Sequence, residues 1–157
     1  MLSTQEHQSV QAWVRLLGAH AAMTRAFNAD LQALHGLTVN DFEVLRRLSL
    51  EPEGRMRRVD LAQVVGLTPS GITRLLEGLQ AAGLVRKEHC ASDARVTYAA
   101  LTDDGRATLR EAGDTHLRAL TAVFSERFGA DEIDRLVELL GRLPGAADAL
   151  EQCAGDG

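Results

Sequence analysis

The stretch Arg58-Val-Asp-Leu-Ala-Gln-Val-Val-Gly-Leu-Thr-Pro-Ser-Gly-Ile-Thr-Arg-Leu-Leu-Glu-Gly-Leu-Gln-Ala-Ala-Gly83 decides the fold of this chain. Leu61, Ala62 and Val65 make one short apolar stripe at helical spacing, and Ala62 is small enough to let a second helix cross closely. Gly66 then supplies a residue that accepts positive φ, and Leu67 plugs the corner. Thr68 is a good N-cap, and Pro69 sits at the first helical position, where its missing N–H costs nothing. The helix opening at Pro69 turns Ile72, Leu75, Leu76 and Leu79 inward and leaves Ser70, Gly71, Thr73, Arg74, Glu77 and Gln80 outward. Gly83 ends it. Two helices joined by a tight turn are therefore expected.

Beyond Gly83 the period changes. Leu84-Val-Arg-Lys-Glu-His89 reads as one strand and Val96-Thr-Tyr-Ala-Ala-Leu101 as its partner. The polar residues 90–96 between them are too many for a two-residue turn and make a projecting loop, a wing. Upstream, Trp13, Leu17, His20, Thr24, Phe27, Leu31 and Leu34 recur every three to four residues, a long first helix ending near Gly36. Thr38 and Asp41 form a capping box for a short helix with Phe42, Leu45 and Leu48 inward, closed by Pro52 and Gly54. Downstream, Thr102 caps a helix reaching about Phe128. Asp131 opens a last one, kinked at Pro144 and continuing to about Gln152. The fold class is mainly α with a small β-hairpin wing, divided into a helix over 1–36, a winged helix-turn-helix lobe over 37–101 and helices over 102–157.

Composition bounds the function. The 157 residues are 45% hydrophobic and only 4% aromatic, enough for one core packed by Leu, Ala and Val. Apolar stretches are broken by charge well before 18 residues, and the first eleven residues are polar, so a cytoplasmic protein without membrane contact is expected. Cys90 and Cys153 lack CxxC spacing, which supports neither a disulfide framework nor zinc. No Walker loop, GxSxG or HExxH occurs, and the five histidines show no i, i+4 pairing, so neither enzyme activity nor a cofactor or metal is expected. The net charge of −5 hides an asymmetry. Residues 46–95 hold nine basic and six acidic groups, +3, leaving −8 elsewhere.

Reading duplex DNA needs an element narrow enough for the major groove, with short polar and guanidinium side chains at its leading end and an apolar back. The helix from Pro69, spanning 69–82, fits. Ser70, Thr73 and Arg74 are the expected contacts, Arg74 through guanine O6 and N7, with Gly71 allowing backbone to approach DNA and the helix N-terminus meeting phosphate. Arg58, Thr68 and Pro69 flank them. The competing reading leaves Ser70 and Thr73 solvated and pairs Arg74 with Glu77. In the wing, Asp93 could hold Arg95 for a minor-groove approach, or form an Asx-turn that leaves Arg95 free.

These residues resemble the multiple-antibiotic-resistance regulator (MarR) family of winged-helix repressors. The resemblance runs from Gly36-Leu-Thr through Leu61-Ala, Leu67-Thr-Pro-Ser-Gly-Ile-Thr-Arg-Leu-Leu, Leu79-Gln-Ala-Ala-Gly-Leu-Val and Asp93-Ala-Arg to Leu101-Thr-Asp-Asp-Gly105, nearly half of the chain. It implies an obligate homodimer joined by the first and the last two helices, two recognition helices in successive major grooves of a near-palindromic operator, and an Asp93/Arg95 wing tip. The family's wing more often carries Pro or Glu and a second Arg where Cys90, Ser92 and Ala94 stand here. By the same resemblance a small phenolic or aromatic-acid effector binds beside Trp13, Arg15, His20 and Phe42, although Trp13 and Phe42 also read as plain core and His20 as an interface histidine. One branch of the family senses peroxide through a first-helix cysteine, and none lies there in this chain. A redox-responsive regulator using Cys90, and a winged-helix adaptor that does not bind DNA, are the alternatives.

Overall fold

The computed structural model describes Met1 and residues 3–146. Helix α1 (Thr4–His35) begins well before the apolar series that starts at Trp13, because Ser3 and Glu6 close a capping box around its first turn. It ends at Gly36, whose φ of 67° releases the chain toward α2 (Val39–Leu50). The expected Thr38/Asp41 box caps α2, and Asn28 of α1 accepts the Val39 N–H at 3.0 Å, tying the two helices at their corner.

A strand the periodicity did not reveal follows, β1 (Arg55–Arg57). Three residues are too few to show alternation, and β1 exists because it pairs antiparallel with β3 (Thr97–Leu101), Arg55 opposite Ala100. On the far side of β3 lies β2 (Val85–His89), so the sheet order is β1-β3-β2. Both hairpin strands start one residue later than the pattern suggests. The Leu84 N–H is committed to Leu79 O at the end of the preceding helix, and the Val96 N–H to Asp93 O inside the wing.

Helices α3 (Arg58–Val64) and α4 (Pro69–Ala81) are the expected pair. Their turn is a Schellman motif: Gly66 has φ 69°, its N–H bonds Gln63 O, and the Leu67 N–H reaches back to Ala62 O at 2.9 Å. Leu45, Leu48, Leu61 and Ile72 are fully buried and bind α2, α3 and α4 into one core, each contributing about 1.5–3 kcal/mol of burial. Leu79, Leu84, Val85 and Leu101 extend that core to the sheet.

Helix α5 (Asp103–Ser125) starts at the Thr102 cap as expected but stops three residues short of Phe128, and α6 (Ala130–Leu140) follows. The continuous helix kinked at Pro144 is not present. α6 ends at Leu140 with Gly141 as its C-cap, Pro144 lacks the N–H that a continuing helix would donate to Leu140 O, and Gly145 adopts φ 80°. The expected continuation to Gln152, and Cys153, lie outside the described residues. No residue in the N-terminal half of α1 or in α6 is fully buried within the chain, and in α6 only Ile133 and Leu136 are half-buried. Trp13, Val14, Leu17, Leu117, Val137, Leu139 and Leu140 stand exposed, whereas Phe27 and Leu31 are buried beneath α5. Among the described residues no helix is long and apolar enough to cross a membrane.

Candidate nucleic-acid interface

The outward face of α4 is assembled by its own cap. Thr68 Oγ1 accepts the Gly71 N–H at 3.1 Å, and Pro69 fills the first turn. Sequence reasoning gave Gly71 the task of letting DNA approach the backbone. The structure adds a nearer reason for glycine, since a Cβ there would lie 3.0 Å from Thr68 Oγ1 and crowd the capping hydroxyl. Ser70 is exposed, its Oγ 3.3 Å from Thr68 Oγ1. Arg74 is exposed and makes no hydrogen bond or ion pair among the described residues, so the expected competition from Glu77 is absent there.

Thr73 behaves differently from its neighbours. Half-buried, it donates its hydroxyl to Pro69 O at 2.8 Å and accepts from Arg58 Nη1 at 3.4 Å. Arg58 opens α3 and is exposed beside it.

The two local arrangements expected of Asp93 and Arg95 occur together. Asp93 Oδ1 accepts the Arg95 backbone N–H at 2.9 Å, an Asx-turn, and also faces Arg95 Nε at 3.4 Å. The loop is closed below by Cys90 N–H to Val96 O, and the Arg95 side chain remains 93% exposed at the tip. The carboxylate therefore shapes the turn while leaving most of the guanidinium donors to solvent. Cys90 lies at the base of the wing, half-buried, with Sγ 3.1 Å from Ser92 Oγ. Hydrogen bonds from the Ser92 side chain, its backbone and that of Asp93 lower the thiol's pKa from the usual range.

Several cationic residues escaped the sequence reading. On the outer face of the sheet Arg55 bonds Glu53 and Glu88 and stacks over Tyr98, 5.1 Å from the ring centroid, while Arg86 shares Glu88 and Arg57 takes Asp60. Lys87 points to the opposite face with Met56 and Ala99, into a cleft of about 270 Å³ between α4 and the sheet. Strand register was the missing information, because it assigns each of these residues its face.

The residues expected at an effector pocket are not gathered in the single chain. Trp13, Arg15 and His20 are exposed on α1, and Phe42 is buried in the core against His116, with ring centroids 5.2 Å apart. His116, one of the five histidines but given no site role from the sequence, also meets Phe27 edge-on at 4.9 Å, and its Nδ1 is buried without a partner among the described residues. Burial lowers this imidazole's pKa, while Glu43 acts to raise it. Among the described residues no cluster of His, Cys, Asp and Glu could hold a metal ion.

A capped helix-turn-helix followed by a hairpin wing on a three-stranded sheet defines the winged-helix class of proteins. Residues 35–96 match the model of the MarR family. The HTH-type transcriptional repressor YetL of Bacillus subtilis is 32% identical over 108 residues, which cover 69% of this chain and 64% of that repressor's length. Among solved structures, AbsC of Streptomyces coelicolor, a MarR family transcriptional regulator, is 30% identical over 96% of this chain and 97% of its own, with a TM-score of 0.76. Sco3205 from the same organism, a MarR family regulator solved in complex with DNA, is 27% identical, with a TM-score of 0.76 over 88% of this chain and 85% of its own. The chain belongs to the MarR family, whose members are transcriptional regulators and not enzymes.

Proposed function

We propose that this regulator is a homodimeric repressor that binds a near-palindromic duplex operator, with α4 in the major groove and residues 90–96 in the adjacent minor groove. The observation that carries the reading is the cap-built face of α4, where Ser70 and the unpaired Arg74 stand outward on the same lobe as the exposed Arg95 of the wing. Such a face has the guanidinium and short polar groups that base edges require, backed by an apolar anchor. The complex of Sco3205 with DNA is a relative's precedent for it.

Dimerisation rests on α6. An eleven-residue amphipathic helix with no fully buried residue has little stability alone, and Val137, Leu139 and Leu140 need a cover. A second copy supplies it, joining residues 1–36 and 102–157 of two chains and setting two 37–101 lobes about one DNA turn apart. Trp13, Arg15 and His20 gain walls only when α1 is covered. A small phenolic or aromatic-acid effector bound there is therefore a ligand of the dimer, with Phe42 as the core floor behind it.

The test is binding to duplex DNA across a salt series. Affinity falls steeply between about 50 and 200 mM salt for a regulator that neutralises phosphates, and absence of binding at any salt leaves the adaptor reading. The lowered thiol of Cys90 favours a second reading, redox control of the wing. Peroxide that weakens DNA binding of the wild type and spares Cys90→Ser would establish it.

A further inference from the structure

A protein that sets a helix in the major groove and a loop in the neighbouring minor groove straddles the one phosphodiester strand between them. In this fold a cleft is walled by α4 on one side and by β2 and β3, the strands that carry that loop, on the other. Its lining includes Arg58, Arg86 and Lys87 against the single carboxylate of Glu77. Arg86 is committed to Glu88 at 2.8 Å, whereas Arg58 and Lys87 have no carboxylate partner among the described residues.

We propose that this cleft is a seat for DNA backbone phosphates, in which Arg58 and Lys87 are the clamping cations and Thr73 positions Arg58 instead of reading a base. The inference rests on the DNA-binding reading above and assigns the work within it. A hydroxyl has one proton, and Thr73 has given its proton to Pro69 O at 2.8 Å. It has none left for the N7, O6 or O4 acceptors of a base edge. What it still offers is a lone pair, which Arg58 Nη1 meets at 3.4 Å. That contact is long, so it orients the guanidinium more than it binds it. It also occupies one N–H of five and leaves the rest of the fork for phosphate oxygens. Lys87 approaches the same space from β2, on the sheet face opposite that of Arg86 and Glu88. Glu77 stands on the cleft wall and disfavours a phosphate directly beside it.

The experiment uses the full chain and two duplexes, one of mixed sequence and one selected from a random library by the wild-type protein, titrated from 50 to 200 mM salt. Each lost phosphate contact lowers the slope of log affinity against log salt by about 0.9. Arg58→Ala and Lys87→Ala should therefore each lose about 3- to 4-fold less affinity over that range than the wild type does, on both duplexes alike. Thr73→Val keeps the branched shape and removes the hydroxyl; its slope should move toward that of Arg58→Ala, and Thr73→Ser should restore it. The Arg58→Ala/Thr73→Val double variant should be no weaker than Arg58→Ala. Slopes unchanged in Arg58→Ala and Lys87→Ala, with wild-type binding intact, overturn the clamp alone. Discrimination between the two duplexes that collapses in Thr73→Val makes Thr73 a base reader and overturns its positioning role. A wild type that binds neither duplex overturns the DNA-binding reading itself.

Discussion

Substituting Gly105 by alanine isolates the joint between the DNA-binding lobe and α5. In a helix interior glycine to alanine ordinarily gains about 1 kcal/mol. At Gly105 the added Cβ would lie 2.1 Å from the carbonyl oxygen of Leu84 and 2.7 Å from Leu101 Cδ1. A carbon and a carbonyl oxygen approach to about 3.3 Å at best, so the start of β2 must retreat by about 1 Å. That carbonyl accepts the Thr102 N–H at 3.1 Å, and Thr102 in turn donates to Gly83 O at 2.7 Å and caps α5 through the Gly105 N–H. Overpacking costs about 1–3 kcal/mol and a loosened hydrogen bond about 1, against the 1 gained. The expected net loss is about 1–3 kcal/mol, or roughly 3–10 °C in Tm for a chain of this size. Gly113, two turns along the same helix, has nothing within 4 Å of its Cβ position, and Gly113→Ala should gain up to about 1 kcal/mol. Urea melts followed by circular dichroism, at equal subunit concentration because dimers are concentration-dependent, compare the two. A Gly105→Ala protein as stable as Gly113→Ala would refute the close approach of α5 to Leu84.

Arg74→Ala should weaken binding to a selected operator by roughly 1–3 kcal/mol and barely alter binding to mixed-sequence duplex; equal losses on both, in a titration at fixed salt, would make Arg74 a phosphate contact. His116 is neutral in its apolar slot between Phe27 and Phe42, and burial sets its folded pKa below the unfolded value of about 6.5. Protons then bind the unfolded chain more readily, so this contribution to stability is complete above about pH 6.5 and is lost as pH falls through that value toward the folded pKa. Thermal melts from pH 7.5 to 5 should show His116→Gln losing less Tm than the wild type, and parallel losses would remove His116 from the pH response. Leu140→Glu places a charge on the uncovered face of α6 and should halve the mass seen by light scattering; an unchanged dimer would move the interface elsewhere.

The helix-turn-helix was legible because its signals are local. Gly66, Thr68 and Pro69 act on the backbone within a turn of themselves, and their φ values and capping bonds came out as the residue types require. The Thr38 and Thr102 caps were legible for the same reason. The earlier start of α1 was also written in the chain, in Ser3 and Glu6, but its polar first turns carry no apolar period to draw attention to it. β1 had no such signal, since a three-residue strand is defined by its partner.

The sequence by itself determined the order of the helices and of the two hairpin strands, the turn of the helix pair, the wing and the family. Tertiary structure alone decided which groups remain free to act. Thr73 and Arg74 are adjacent and both polar, yet the fold brings Arg58 to the hydroxyl of one and leaves the guanidinium of the other unpaired among the described residues. Arg86 and Lys87 are adjacent and both cationic, yet the pleat puts one on the face of Glu88 and leaves the other without a carboxylate partner among the described residues. Local propensity depends on a residue and its near neighbours along the chain, whereas long-range hydrogen bonds and facing depend on partners brought from 15 to 80 positions away, such as Thr73 beside Arg58 and Thr115 beside His35.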